Sequence, residues 1–448
     1  MTASSDGARN FPSMRHLREA HAHLAAYGQA LTLPSLASCA GLAECLDAVH
    51  RAAAAARSGA NTPAFVRFTS ARPESWPEAR WPTRAELDAA AGEGVAVVIM
   101  SFDHHTAAAN SAALAAAGLR AGVVVPPSGV VCADDHGEAT GVLLEHAAWA
   151  AWSAAPAPTA QERLDHVRAA AAALAAMGFT EVHDLLSDPD LGPALAALQR
   201  RGELPLRVRL YVAIDHLEAV AAGRAAWESD QIRLAGGKLF ADGTLNSRTA
   251  AMLHPYRDPM PDYPCGRALL DGEQIAAAAA AARRLGLGLA VHAIGDAAVR
   301  TTLDGYEQAL RETPHADHLP PLRIEHCELI DAADVPRFAR LGVVCSVQPC
   351  HLLTDIEVLT RALPDRLDRV LPLRELIDSG CVPGGNGGRA GEGALWFGSD
   401  VPIVRADPED SILAATARRR TDMPDAAAIA PRQRITQAEA WAAFAIAE

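Results

Sequence analysis

HLREAHAHLAAYG, residues 16–28, places two histidines one residue apart near the start of a 448-residue chain. Which element carries them decides how the rest is read. On a helix His21 and His23 stand about 200° apart around the axis, whereas on a strand they project from one face. Arg15, His16, Arg18 and Glu19 make the approach polar, so the stretch alone does not read as a buried strand and favours an ordinary polar helix start. The pattern downstream has to arbitrate.

From residue 160 onward, helical stretches alternate with short runs rich in Val, Ile and Leu, the pattern of repeated βα units around a parallel sheet. The runs are GFTEVHDL (178–185), LPLRVRLYVAI (204–214), RLAGGKLFADG (233–243), GLGLAVHAIGD (286–296), LRIEHCEL (322–329), GVVCSVQP (342–349) and ALWFGSD (394–400). A further strand at HLREAHAH completes an α/β fold, a (β/α)8 TIM-like barrel, whose usual length is about 250 residues. The excess lies between 30 and 160, and it reads as a large insertion after the first strand. This insertion has its own helices, a strand at VAVVIMSFD (95–103) and a proline-rich boundary at SAAPAPTA (153–160). The expected organisation is 1–29 for the N-terminal segment and first strand, 30–160 for the insertion and 161–448 for the remaining barrel. The alanine tracts at 52–57, 170–177 and 277–284 read as helices. GGNGGRAGEG (384–393) lacks the GK[ST] ending of a phosphate loop and reads as a plain loop.

Composition narrows the partners. Half the residues are hydrophobic and the net charge is −14, which disfavours nucleic acid, because no basic stripe exists to release counterions. No apolar run long enough to span a membrane and no signal-like start is visible. The eight cysteines are scattered without CxxC pairs and read as reduced, buried thiols. The expectation is a cytoplasmic protein acting on a small-molecule substrate, without nucleic acid or membrane.

In such a barrel, chemistry sits where strands end. Lys238 follows RLAGG, His292 follows GLGLAV, His326 follows LRIE and Asp400 follows ALWFGS. Singly, each has an ordinary explanation: a snorkelling lysine, core histidines, a helix-capping aspartate. Together, four ionisable groups buried at one end of four strands are costly unless they pair or share a cation. If HLREAHAH is the first strand, His21 and His23 point into the same mouth, and the pair becomes a metal claw.

The set His21, His23, Lys238, His292, His326 and Asp400 resembles the amidohydrolase superfamily. The words GFTEVHD (178–184), KLFADGTLNSRTAAM (238–252), VHAIGDAAV (291–299), RIEHCEL (323–329), SVQP (346–349) and FGSDVPI (397–403) resemble its YtcJ-like branch, which includes N-substituted formamide deformylase. DHHTAAANSAAL (103–114) and GEATGVLLE (137–145) resemble that branch's insertion. The resemblance implies one or two divalent metal ions, zinc foremost. His21, His23 and Asp400 would hold the first, and His292 and His326 the second, with Lys238 as a carbamylated bridge. It also implies that Asp400 serves as base and then acid while metal-activated hydroxide attacks an amide or formamide-like C–N carbon. His105, His183, Asp242 and Arg248 are candidates for substrate binding, as are Asp103 and Glu145, each weighed evenly against a structural role.

Members usually carry a flanking β-sandwich formed from both chain ends. Here it is expected to be missing, which leaves a homo-oligomer open as a source of support and the first strand short of apolar backing. Three other readings stay open: a deaminase on the same scaffold, a catalytically inactive barrel acting as a binding protein, and a phosphoesterase.

Overall fold

The computed structural model describes residues 16–57, 64–101, 106–123, 125, 129–144, 146–260, 262–316 and 319–446. The described residues fall into two compact units, one from the chain up to Tyr27 together with the part from Val167, the other from Gly28–His166. In chain order the strands are β1 (Leu17–Ala22), β2 (Ala64–Ala71), β3 (Val95–Ser101), β4 (Thr106–Ala109), β5 (Val130–Ala133), β6 (Ala139–Leu144), β7 (Phe179–Ser187), β8 (Arg207–Ala213), β9 (Ile232–Phe240), β10 (Gly288–Ala293), β11 (Leu322–His326), β12 (Val344–Val347), β13 (Cys381–Pro383) and β14 (Gly393–Phe397).

The first unit is built on a curled sheet in the order β1-β7-β8-β9-β10-β11-β12-β14-β13, and every pairing in it is parallel. Parallel neighbours need crossovers. Helices Leu191–Arg200, Ile214–Gly223, Gly272–Arg284, Asp296–Glu312 and Val335–Leu341 supply those from β7 through β12. The alanine-rich helix Gly272–Arg284 begins with a reciprocal capping box between Asp271 and Gln274, which satisfies two otherwise orphaned backbone donors. At its far side the curl brings β1 to the segment following β14. Ala22 and Val401 form a parallel bridge, Asp400 N donates to His21 O at 2.7 Å and His23 N donates to Val401 O at 3.0 Å.

Within the opening stretch Leu17–Ala22 is thus a strand with all six residues buried, His23 follows it directly, and helix Leu24–Thr32 begins after that. The expected shortage of apolar backing is corrected here. Leu17, Ala20 and Ala22 are core residues, and Glu19 Oε1 accepts from His21 N and Ser399 N. The β1–β7 register takes an extra β1 residue between Glu19 and Ala22. Such a bulge re-aims side chains: Arg18 and Ala20 pack against Trp396 below it, and His21 and His23 turn to Asp400 above it.

The unit at 28–166 carries a five-stranded sheet, β2-β3-β4-β6-β5, parallel between β2 and β3 and antiparallel elsewhere. The single strand expected here is joined by four more. Val95, Val97 and Ile99 of β3 enter one core beneath helices Leu42–Arg57 and Arg84–Ala91, while Ala96, Val98 and Met100 enter a second. Burial on both faces explains the unbroken apolar run VAVVIM, and each Val or Ile so buried contributes about 1.5–3 kcal/mol. No helix among the described residues is long and apolar enough to cross a membrane. None of the eight cysteines is in a disulfide; five are buried, and Cys39, Cys132 and Cys265 are partly exposed, which corrects the expectation that all are buried.

Candidate metal centre

The C-terminal ends of β1, β10, β11 and β14 bring His21, His23, His292, His326 and Asp400 together. Ring centroids run 5.5 Å from His23 to His21, 4.9 Å from His21 to His326 and 4.5 Å from His326 to His292. Asp400 Oδ1 lies 2.8 Å from His23 Nε2 and 3.4 Å from His21 Nε2. The ligand atoms of His21, His23 and Asp400 lie within 4.8 Å of one another, as do those of His326, His351 and Asp400. His326 and Asp400 hold left-handed backbone, with φ of 71° and 64°. L-residues rarely adopt this conformation, and it concentrates at functional sites.

Hydrogen bonds on the outer side of the His21, His23 and His292 rings fix which nitrogen faces inward. His23 Nδ1 lies 2.6 Å from Leu185 O, which can only accept, so this nitrogen carries a proton and Nε2 faces Asp400 at 2.8 Å, where a proton or a cation must lie between them. His21 Nδ1 sits 2.7 Å from the Glu325 carboxylate, and His292 Nε2 donates to Gly243 O at 3.0 Å. His326 Nδ1 and Lys238 Nζ are buried without partners. Lone pairs aimed at one another and at a carboxylate are unfavourable unless a proton or a cation lies among them. Ring N–H groups donated outward to carbonyl and carboxylate are how metal-binding histidines are oriented. The residues present therefore fit divalent metal.

Electrostatics agree. Burial lowers His21 to about 4 and His292 to about 3, and holds His326 well below the usual range, so these rings are neutral ligands at pH 7. Burial alone would raise the Asp400 carboxyl, yet His21 and His23 hold it well below its ordinary value and it stays ionised. Burial pulls the Lys238 amine down to about 8. Glu325 is likewise buried but kept ionised by Arg323, with His21 and Lys238 adding to it. Arg323 Nη2 donates to Glu325 Oε2 at 3.0 Å, to Ala20 O and to Ser346 Oγ.

The chain matches the Amidohydro_3 model, described as an amidohydrolase family, over residues 17–445. The chain belongs to the amidohydrolase family. It is 30 % identical over 336 residues to the YtcJ protein of Bacillus subtilis (strain 168), covering 72 % of this chain and 58 % of that one. It is 26 % identical over 383 residues to the N-substituted formamide deformylase of Arthrobacter pascens, covering 82 % and 66 %. The matched stretch thus spans less than two thirds of either relative. Among solved structures, an uncharacterized metal-dependent hydrolase from Pyrococcus horikoshii OT3 superposes with a TM-score of 0.72 at 25 % identity, covering 95 % of this chain and 78 % of that one.

Of three other candidate residues of this amidohydrolase, His183 and Arg248 are engaged away from the centre, and Asp242 lies beside it with Oδ1 3.5 Å from His292 Nε2. His183 lies deeper in the sheet interior, with Nδ1 2.7 Å from Arg323 Nη1 and Nε2 3.2 Å from Glu181. Asp242 accepts from the backbone of Ala251, Ile294 and Gly295 and so ties the β9 and β10 exits together. Arg248 forms a two-pronged pair with Asp258 at 2.8 and 2.6 Å. His105, Asp103 and Glu145 lie outside the described residues. Two contributors went unmarked by sequence reasoning. His351 follows the end of β12, where the rule that flagged His292 and His326 applies equally. Glu325 shares an alternating strand face with Arg323, a spacing legible in RIEH.

Proposed function

We propose that this amidohydrolase is a metal-dependent hydrolase that cleaves the carbon–nitrogen bond of an amide or formamide-like small molecule, on a (β/α)8 barrel with residues 30–160 inserted after the first strand. The observation that carries this is the convergence of histidine nitrogens around Asp400, with the His21, His23 and His292 rings each held by an outward hydrogen bond. Nitrogen and carboxylate donors of this kind suit zinc. A bound ion supplies an activated water and polarises the substrate carbonyl.

The chain's own residues do the rest. Asp400, ionised and only slightly exposed, takes a proton at Oδ1 from the attacking water and returns it to the departing amine. Glu325 and Leu185 O keep the His21 and His23 rings from rotating. Lys238 with its amine unpaired is placed to become a carbamate, which would turn a buried cation into a ligand. The composition and unpaired thiols favour a cytoplasmic setting.

The test is metal content per chain by mass spectrometry on protein purified without chelator, paired with amine release from N-substituted formamides. One or two equivalents together with amine release are expected. In Lys238→Ala, loss of one equivalent supports the carbamate bridge and unchanged stoichiometry removes it. A chain that holds no metal even after zinc is offered back sinks the whole reading.

A further inference from the structure

At the opposite end of the same sheet, the strand starts surround a cavity of about 910 Å³. Its wall includes Arg18 of β1, Glu181 of β7, Arg209 and Tyr211 of β8 and Trp396 of β14. Arg18 is 3 % exposed and lies 3.8 Å over the Trp396 ring centre, yet among the described residues its Nε and Nη2 meet no hydrogen-bond partner. Arg209 shows the same deficit on one arm: Nη2 is 3.0 Å from Glu181 Oε2 while Nη1 is buried without a partner. Glu181 is already spent, with Oε1 facing His183 at 3.2 Å and Oε2 shared between Arg209 and, at 3.4 Å, Arg207. One carboxylate answers three guanidinium groups.

A buried guanidinium with unmade hydrogen bonds is costly, and the missing partner must be an acceptor. The Nε–H and Nη2–H bonds of an arginine point the same way, spaced to meet both oxygens of one carboxylate. Desolvation outweighs the pull of Glu181 and lowers the Arg18 guanidinium to about 9, the direction expected of a cation short of counter-charge. The cavity also has acidic walls. Glu228 is engaged with Arg224 at 3.6 Å and with Leu234 N, and Glu392 is exposed. Arg224, Arg233 and Arg389 line it as well, so net charge does not choose between anions, and the planar two-donor edge of Arg18 is what matches a carboxylate.

We propose that this cavity is a binding site for a small organic monocarboxylate, gripped by Arg18 with Arg209 beside it and walled by Trp396 and Tyr211. The site lies apart from the metal centre and does not depend on the hydrolase reading.

Calorimetric titration of the full metal-loaded chain with benzoate, acetate and inorganic phosphate tests it. Benzoate should bind saturably and more tightly than phosphate. Arg18→Lys keeps the charge but loses the fork, so it should weaken benzoate by about tenfold or more. Arg209→Gln, at the partly exposed neighbour, should weaken it in the same direction and covers the case in which Arg18 variants fail to fold. Phosphate binding without benzoate binding overturns the carboxylate assignment. No binding by the wild type overturns the site. Benzoate binding that both variants leave unchanged places the ligand elsewhere, the metal ligands included, and also overturns it.

Discussion

The two ends of the curled sheet are built on the same strands and left incomplete with opposite sign. At the C-terminal end, His21, His292 and His326 are neutral rings, while at His23 burial is outweighed by the pull of Asp400, which raises the ring above its usual value, 2.8 Å from that ionised carboxylate. At the N-terminal end, Arg18 and Arg209 are cations with unmade donors. The first lacks a cation and the second an anion. The atoms a fold leaves unsatisfied therefore state the charge of the partner it would take, independently of any motif. Between the ends runs one connection: Glu181 to His183, His183 to Arg323, Arg323 to Glu325, and Glu325 to His21.

The largest effect expected falls on the metal end. Asp400→Asn keeps shape and loses the proton acceptor, so turnover should drop about 10²–10⁴-fold, with the folded state retained by circular dichroism. Turnover at wild-type level would show that Asp400 only shapes the site, and the contrast between the ends would lose its chemical half.

A smaller effect is expected at the link. Glu325→Gln removes the carboxylate that orients His21 and leaves Arg323 with a neutral partner. Metal affinity should fall about 10–100-fold, the usual cost of losing an outer-shell partner, read by chelator competition. If metal affinity holds while benzoate binding at the far cavity falls, Glu325 belongs to the arginine end rather than to the histidine end.

How far this contrast was legible beforehand follows from the same physics. Strand ends announce themselves because an ionisable residue closes an apolar run, and Lys238, His292, His326 and Asp400 were found that way. The bulge in β1 leaves no such mark: in LREAHA the adjacent Arg18 and Glu19 interrupt the alternation, but the extra residue between Glu19 and Ala22 shows only in the pairing with β7. In the 28–166 unit, β4 is TAAA and β6 is ATGVLL. Alanine favours helix and short strands have little periodicity to read, so their strand state comes from pairing with β3 and with each other. Arg18, Glu181 and Arg209 break the apolar pattern at interior positions. From sequence Arg18 reads as part of a polar lead-in and Glu181 and Arg209 carry no mark at all, since nothing local reveals that three elements bring them to one cavity.

The smallest effect belongs to neither end and calibrates both. Glu307, on helix Asp296–Glu312, meets Arg340 at 2.9 and 3.0 Å and Arg337 at 3.2 Å, from helix Val335–Leu341. Arg340, with Arg337 adding to it, lowers the Glu307 carboxyl from its usual 4.5 to about 2. A carboxyl depressed in the folded state contributes stability that is present above its unfolded value and is lost as pH falls toward its folded one. Glu307→Gln should therefore melt slightly below the wild type at pH 7, with the gap closing between about pH 4.5 and 2. The Arg340 side chain is 56 % exposed, so solvent screening limits the pair to about 1 kcal/mol or less, and the melting difference to about 1–2 °C. A gap that persists below pH 2 would mean that packing, not charge, joins the two helices. Because this pair has all its partners and faces water, it marks the scale of an ordinary ion pair, against which the much larger responses at Asp400 and Arg18 are to be judged.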